Sequence, residues 1–140
     1  VLFAGNSEKD KAGLVMSFVK KCNRKIGEYW EDYAMLLLPD AIRSNKDNPN
    51  ADHDLEWQGY RINVKGAKLQ NKKTGQYWCF KLHAHYMTCD FFLMIGYVKD
   101  NDKSPERAWL IPAELCQKPY YWVYVFCKKL EPYEMELVAI

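Results

Sequence analysis

Two alternating stretches joined by a two-residue turn constrain this chain more than any other feature. Asp52 to Trp57 (DHDLEW) alternates, Gln58-Gly59 makes a turn, and Tyr60 to Ala67 (YRINVKGA) alternates again. Side chains along a strand point to opposite faces with period two. Asp52, Asp54 and Glu56 therefore share one face of the first strand, while His53, Leu55 and Trp57 take the other. In the second strand Arg61, Asn63 and Lys65 share a face, and Tyr60, Ile62 and Val64 oppose them. Packing the apolar faces together leaves Asp54, Asn63 and Lys65 on one polar surface of a hairpin.

Helices precede this hairpin. Ser7 to Cys22 reads as one: Ser7 followed by Asp10 resembles a capping box, and Leu14, Val15, Phe18, Val19 and Cys22 form an apolar stripe. A second is predicted from about Lys25 to Leu38, ended by Pro39. Ile26, Tyr29, Trp30, Tyr33, Leu36 and Leu37 share its apolar face. Glu31 falls on the flank with Gly27, Ala34 and Leu38, whereas Glu28 and Asp32 are expected to point further out. Arg43 to Ala51 has the composition of a mobile polar loop.

After the hairpin, Asn71 to Gln76 is a basic turn. Tyr77 to His85 is a strand with Trp78, Phe80, Leu82 and Ala84 inward, and Phe91 to Val98 is apolar on both faces, as a central strand is. Asp100 to Glu106 reads as a loop, Ala108 to Ile111 as a short strand, Pro112 to Leu115 as one helical turn, and Tyr120 to Phe126 as a strand near an edge. Residues 130–140 give no clear pattern. The class is α/β: a mixed central sheet flanked by helices. With 140 residues the chain is the size of one domain, read as an N-terminal helix in 1–24, a core in 25–126 and a C-terminal tail in 127–140.

Composition excludes several classes. Hydrophobic residues at 49% exclude a disordered chain, and no apolar run is long enough to span a membrane. No secretory signal is visible, and Val1 in place of Met points to a trimmed or processed start. The five cysteines are odd in number and form no CxxC pair, which suggests reduced thiols and a cytoplasmic setting. The net charge of +2 predicts no partner, but its distribution does. Residues 26–60 carry eight acids against two bases, and residues 61–81 carry six bases and no acid. An acidic site framed by cationic surface suits a protein that cuts a polyanion with a metal ion.

Phosphodiester hydrolysis needs a divalent metal, carboxylates to hold it, and a cation to orient the nucleophile or stabilise the transition state. Asp54 followed by Asn63-Val64-Lys65 has this layout across two adjacent strands. Together with Gly27-x-x-x-Glu31, His53-Asp54, Asn63-Val64-Lys65-Gly66, the strand after Cys89-Asp90 and Trp109-Leu110-Ile111-Pro112, it resembles the PD-(D/E)xK nuclease superfamily over roughly residues 25–115. The resemblance implies a restriction-endonuclease-like core and Mg2+-dependent (or Mn2+-dependent) cleavage of double-stranded DNA, of restriction, homing or junction-resolving type. It makes Asp54 the main metal ligand, puts Asn63 at the second ligand position and lets the Val64 carbonyl complete the shell. Lys65 would activate water, and Glu31 would reach in from the helix. Asn63 stands where the family has an acid, so metal binding and activity are expected to be weakened. Two origins account for it: an Asp-to-Asn exchange that stops cleavage while keeping DNA binding, which we favour, or a naturally altered member. A catalytically inactive nucleic-acid-binding module is the alternative function.

Lys68, Lys72, Lys73 and Lys81, with Lys20, Lys21, Arg24 and Arg43, are the expected DNA contacts. A domain this small that cuts both strands is expected to pair with itself, and Tyr120, Tyr121, Trp122 and Tyr124 are candidates for a homodimer contact, with core packing the competing role. Cys79, His83, His85 and Cys89 invite a zinc site, but along one extended strand they lie too far apart for one ion.

Overall fold

The computed structural model describes residues 26–44, 53–83, 88–99 and 104–138. The expected first helix lies outside them, as do Lys20, Lys21, Arg24, Asp52 and His85. Within them the protein is a mixed α/β structure of nine strands and one α-helix.

Helix α1 spans Ile26–Leu37. Its apolar stripe is buried as the spacing predicts, with Tyr29, Trp30, Tyr33, Leu36 and Leu37 all in the core. Asp40 then adopts φ of +68° and the chain turns into β1 (Ile42–Arg43). The hairpin follows as β2 (Leu55–Trp57) and β3 (Tyr60–Lys68), paired antiparallel with Leu55 opposite Ile62. Gln58 and Gly59 carry φ of +51° and +83°, matching the right-handed twist of a tight hairpin.

The remaining strands are β4 (Gln70–Lys72), β5 (Gly75–Lys81), β6 (Phe91–Tyr97), β7 (Pro105–Pro112), β8 (Tyr120–Tyr124) and β9 (Glu134–Met135). One sheet has the order β1-β2-β3-β6-β7-β9, and a second has the order β4-β5-β8. Phe91–Tyr97 is the central strand expected from its double-sided apolarity: it runs parallel to β3 and antiparallel to β7. A parallel pair needs a long crossover, usually a helix. Among the described residues that crossover is the β4–β5 hairpin instead, so helices flank the large sheet more sparsely than the sequence predicts. The alternation of Trp78, Phe80 and Leu82 explains why. It gives the crossover one apolar face, which packs flat on the large sheet.

The large sheet therefore separates two cores. On one face Leu55, Ile62, Leu93, Ile95, Ala108 and Leu110 meet α1; on the other Phe92, Met94, Trp109 and Ile111 meet Trp78, Phe80, Tyr121 and Val123 of the second sheet. Two glycines permit these approaches. A Cβ on Gly66 would stand 2.4 Å from the Trp30 ring, and one on Gly96 would stand 2.6 Å from the Trp78 ring. Each large apolar side chain so buried contributes about 1.5–3 kcal/mol. Among the described C-terminal residues Leu130 and Met135 are buried, β9 pairs with β7, and the Tyr33 hydroxyl donates to the Val138 carbonyl at 3.0 Å.

Candidate functional site

The regular β2–β3 ladder stops at Leu55, and Asp54 takes over its end. The Asp54 N–H donates to the Ile62 carbonyl at 3.0 Å, and its carboxylate Oδ2 accepts the Val64 N–H at 2.8 Å. A side-chain oxygen thus replaces the next main-chain acceptor of the ladder. This fixes the carboxylate against the residue between Asn63 and Lys65. Asn63 and Lys65 lie beside Phe92 and Met94 in the parallel register, on the face turned toward the second sheet.

Burial sets the electrostatics of this cluster. It pushes the Asp54 carboxyl above its ordinary value, against the Val64 N–H and the charges of Lys65, His53 and Arg43. It also pushes the Lys65 ammonium below its ordinary value, against the pull of Asp54 and Cys89. The Cys89 thiol, buried and next to Asp90, is raised to about 11, which makes it a poor nucleophile. Asn63 is only 4% exposed, and its side-chain oxygen has no hydrogen-bond partner. Leaving a buried acceptor unsatisfied costs about 1–3 kcal/mol.

Glu31 and Arg43 belong to the opposite face. Arg43 sits on a strand rather than in the expected loop, opposite Leu55, and its guanidinium donates to Asp32 at 2.9 Å and to Glu31 at 3.3 Å. Asp32, expected to point outward, is 9% exposed and forms the shorter half of this pair. The pair pins α1 to the edge of the sheet. The charge of Arg43 still acts on Asp54, so the helix pair and the hairpin cluster are neighbours through the sheet.

The expected phosphate contacts fall elsewhere. Lys68 is exposed at the end of β3, Lys72 and Lys73 are exposed on the β4–β5 hairpin, and Lys81 is exposed at the end of β5. Of the zinc candidates, Cys79 lies on the second sheet opposite Trp122, whereas Cys89 is buried next to the hairpin cluster. Among the described residues no three His, Cys, Asp or Glu side chains converge as a metal site, and Cys79, Cys89, Cys116 and Cys127 are free thiols. No described helix is long and apolar enough to cross a membrane.

Sequence reading missed Asp90. It accepts the Arg61 N–H at 2.8 Å and two guanidinium contacts at 3.4 Å, and its own N–H donates to the Arg61 carbonyl at 2.8 Å. Arg61 holds its carboxyl below the ordinary value. The signal was an acid at the entrance of an apolar strand, visible only once β6 is known to run beside β3.

A hard divalent cation fits the donor set at the hairpin in kind but not in charge. Asp54 offers a carboxylate and Asn63 an unpartnered buried oxygen, so only one negative charge stands where two would hold such an ion firmly. No protein-family model matches this chain, and a search of curated proteins gives no significant match.

Proposed function

We propose that the protein is a divalent-metal-dependent DNA endonuclease with a restriction-endonuclease-like core, its cleavage weakened by the amide at position 63. The reading rests on one observation. Asp54 is held against the backbone between Asn63 and Lys65, Asp54 and Lys65 are both pushed toward their neutral forms by desolvation, and the buried Asn63 oxygen on the same face of β3 lacks a hydrogen-bond partner. Perturbed titratable groups gathered beside an unsatisfied polar atom mark a site better than they mark a scaffold.

In this mechanism Asp54 and Asn63 would hold Mg2+ or Mn2+, with the Val64 carbonyl as the main-chain donor. The bound cation would polarise the scissile phosphate and lower the pKa of a water. Lys65, its ammonium already disfavoured by desolvation, would orient a water beside the scissile phosphate and exchange a proton with it at Nζ. Asn63 supplies geometry without charge, so the site binds the cation loosely and leaves Lys65 with one counter-charge. The same neutral amide favours a second reading, a nuclease-like module that binds nucleic acid without cutting it.

One experiment separates them. Plasmid nicking is assayed in magnesium and in manganese with this chain and with Asn63→Asp. The nuclease reading expects a gain of roughly 10–100-fold on restoring the carboxylate, the size of effect typical when the surroundings of a metal are altered. No gain in either metal leaves the binding module.

A further inference from the structure

The second sheet has two unlike faces. Trp78, Phe80, Tyr121 and Val123 point inward and are buried. The register sets the other face: Gln70 is opposite Tyr77, Lys72 opposite Gly75, Tyr77 opposite Tyr124, Cys79 opposite Trp122 and Lys81 opposite Tyr120. Directly opposed residues point the same way. Four aromatic rings and two lysines therefore share one outward surface, and β4, β5 and β8 carry no acid.

These rings are not waiting for a core. Tyr120, Trp122 and Tyr124 are 42%, 49% and 44% exposed. Tyr120 and Trp122 lie nearly parallel, with ring centroids 6.2 Å apart and planes at 29°; Tyr77 and Tyr124 are 5.3 Å apart. The rings form a row along the strands, with Lys81 at one end and Lys72 and Lys73 at the other. Exposed apolar area this concentrated needs an occupant. Three features say which. Three of the four rings are at least 42% exposed; the charge carried by the three strands is purely cationic; and they bring hydroxyl and amide groups (Tyr77, Tyr120, Tyr124, Gln70) to the same face. Bases stack on such rings while phosphates sit on the flanking lysines.

We infer that the outer face of the β4-β5-β8 sheet is a binding platform for single-stranded nucleic acid. It does not depend on the proposed cleavage site: Asn63 and Lys65 face the buried side of this sheet, and the platform is its far side. A second copy of the chain would also bury aromatic rings, but two such faces would bring Lys72 and Lys81 against their own duplicates with no acid to meet them. A polyanion removes that repulsion.

The test uses the full chain and fluorescence-anisotropy titrations with a labelled oligo(dT), an oligo(U) of equal length and a duplex. Both single strands are expected to bind more tightly than the duplex at this surface, and the tighter of the two identifies DNA or RNA as the source. Trp122→Ala should weaken single-strand binding by about tenfold, as loss of one stacked base does, while Trp122→Phe keeps most of it. Lys81→Ala should lower the log–log salt slope by about 0.7, the value for one phosphate contact on a single strand. Trp122 is half exposed, so these variants fold. Unchanged binding in Trp122→Ala overturns the inference. So does sedimentation showing that Trp122→Ala dissociates a dimer while oligonucleotide affinity stays the same. Neither result alters the nicking outcome for Asn63→Asp.

Discussion

Asp54 and Asp90 stand on either side of β3 and begin from the same interaction. Each accepts a main-chain N–H of that strand at 2.8 Å, Asp54 from Val64 and Asp90 from Arg61. Their carboxyls nevertheless move in opposite directions, Asp54 up and Asp90 down. The hydrogen bond is the same, so solvent and counter-charge decide. Asp90 is partly open to water and the Arg61 guanidinium lies on it. Asp54 is half-buried but the more desolvated of the two, and the cations that act on it do not offset that desolvation. The Asp90 carboxylate is a finished structural joint between β3 and β6. The Asp54 carboxylate is a charge held in an unfavourable place, which a bound cation would relieve.

The largest expected effect separates the two acids by function. In the Asn63→Asp background, Asp54→Ala should reduce magnesium-dependent nicking by at least roughly a hundredfold, since on the proposed reading it removes one of the two carboxylates that would hold the cation. Asp90→Ala should leave nicking within about threefold and instead lower stability by about 0.5–1.5 kcal/mol, the worth of an exposed hydrogen-bonded pair. Equal losses of activity in the two variants would erase the distinction.

How much of this could be read in the sequence follows the same divide between local and long-range causes. The α1 stripe, the Gln58-Gly59 turn, the alternation of Ile62 with Asn63 and the double-sided apolarity of Phe91–Tyr97 are local, and each matches its observed element. So is the spacing that sets Asn63 and Lys65 on one face. Three things depended on packing. Whether Trp78, Phe80 and Leu82 extend the first sheet or build a second one is not encoded in their alternation, which is the same in both cases. Arg43 reads as a loop residue until α1 supplies Asp32 and Glu31. Met135 stands between two glutamates, and only its pairing with Ala108 of β7 gives it a buried place. Asp54 is an intermediate case. Its strand was legible, but its carboxylate capping the ladder at Val64 was not.

The second effect concerns stability. Asn63→Asp places a second carboxylate at a site 4% exposed, beside the half-buried Asp54. Without metal it should destabilise the chain by about 1–3 kcal/mol, through desolvation and like-charge repulsion. Added Mg2+ should reverse this, by about 2.7 kcal/mol at a hundred times the dissociation constant. Thermal melts with and without the ion measure both terms. The parent chain should respond less, having one charge fewer, and Asp90→Asn should leave the metal response of the Asn63→Asp variant unchanged. A variant indifferent to magnesium would make Asn63 a packing residue.

The smallest effect is read by proton titration. Asp90 has a folded pKa below its unfolded one, so its contribution is fully present above the unfolded value and is lost as pH falls through the folded value. Asp54 has the opposite sign: its folded pKa lies above the ordinary 3.8, so ionising it costs stability, and that cost sets in as pH rises through the folded value. Carboxyl-carbon NMR should place the Asp54 midpoint above 3.8 and the Asp90 midpoint below it. Adding Mg2+ should lower the first and leave the second, because a cation stabilises only the carboxylate it touches. If the Asp54 midpoint lay at or below that of Asp90, its desolvation would already be offset by Val64 and Lys65, and the proposed metal site would lose its electrostatic basis.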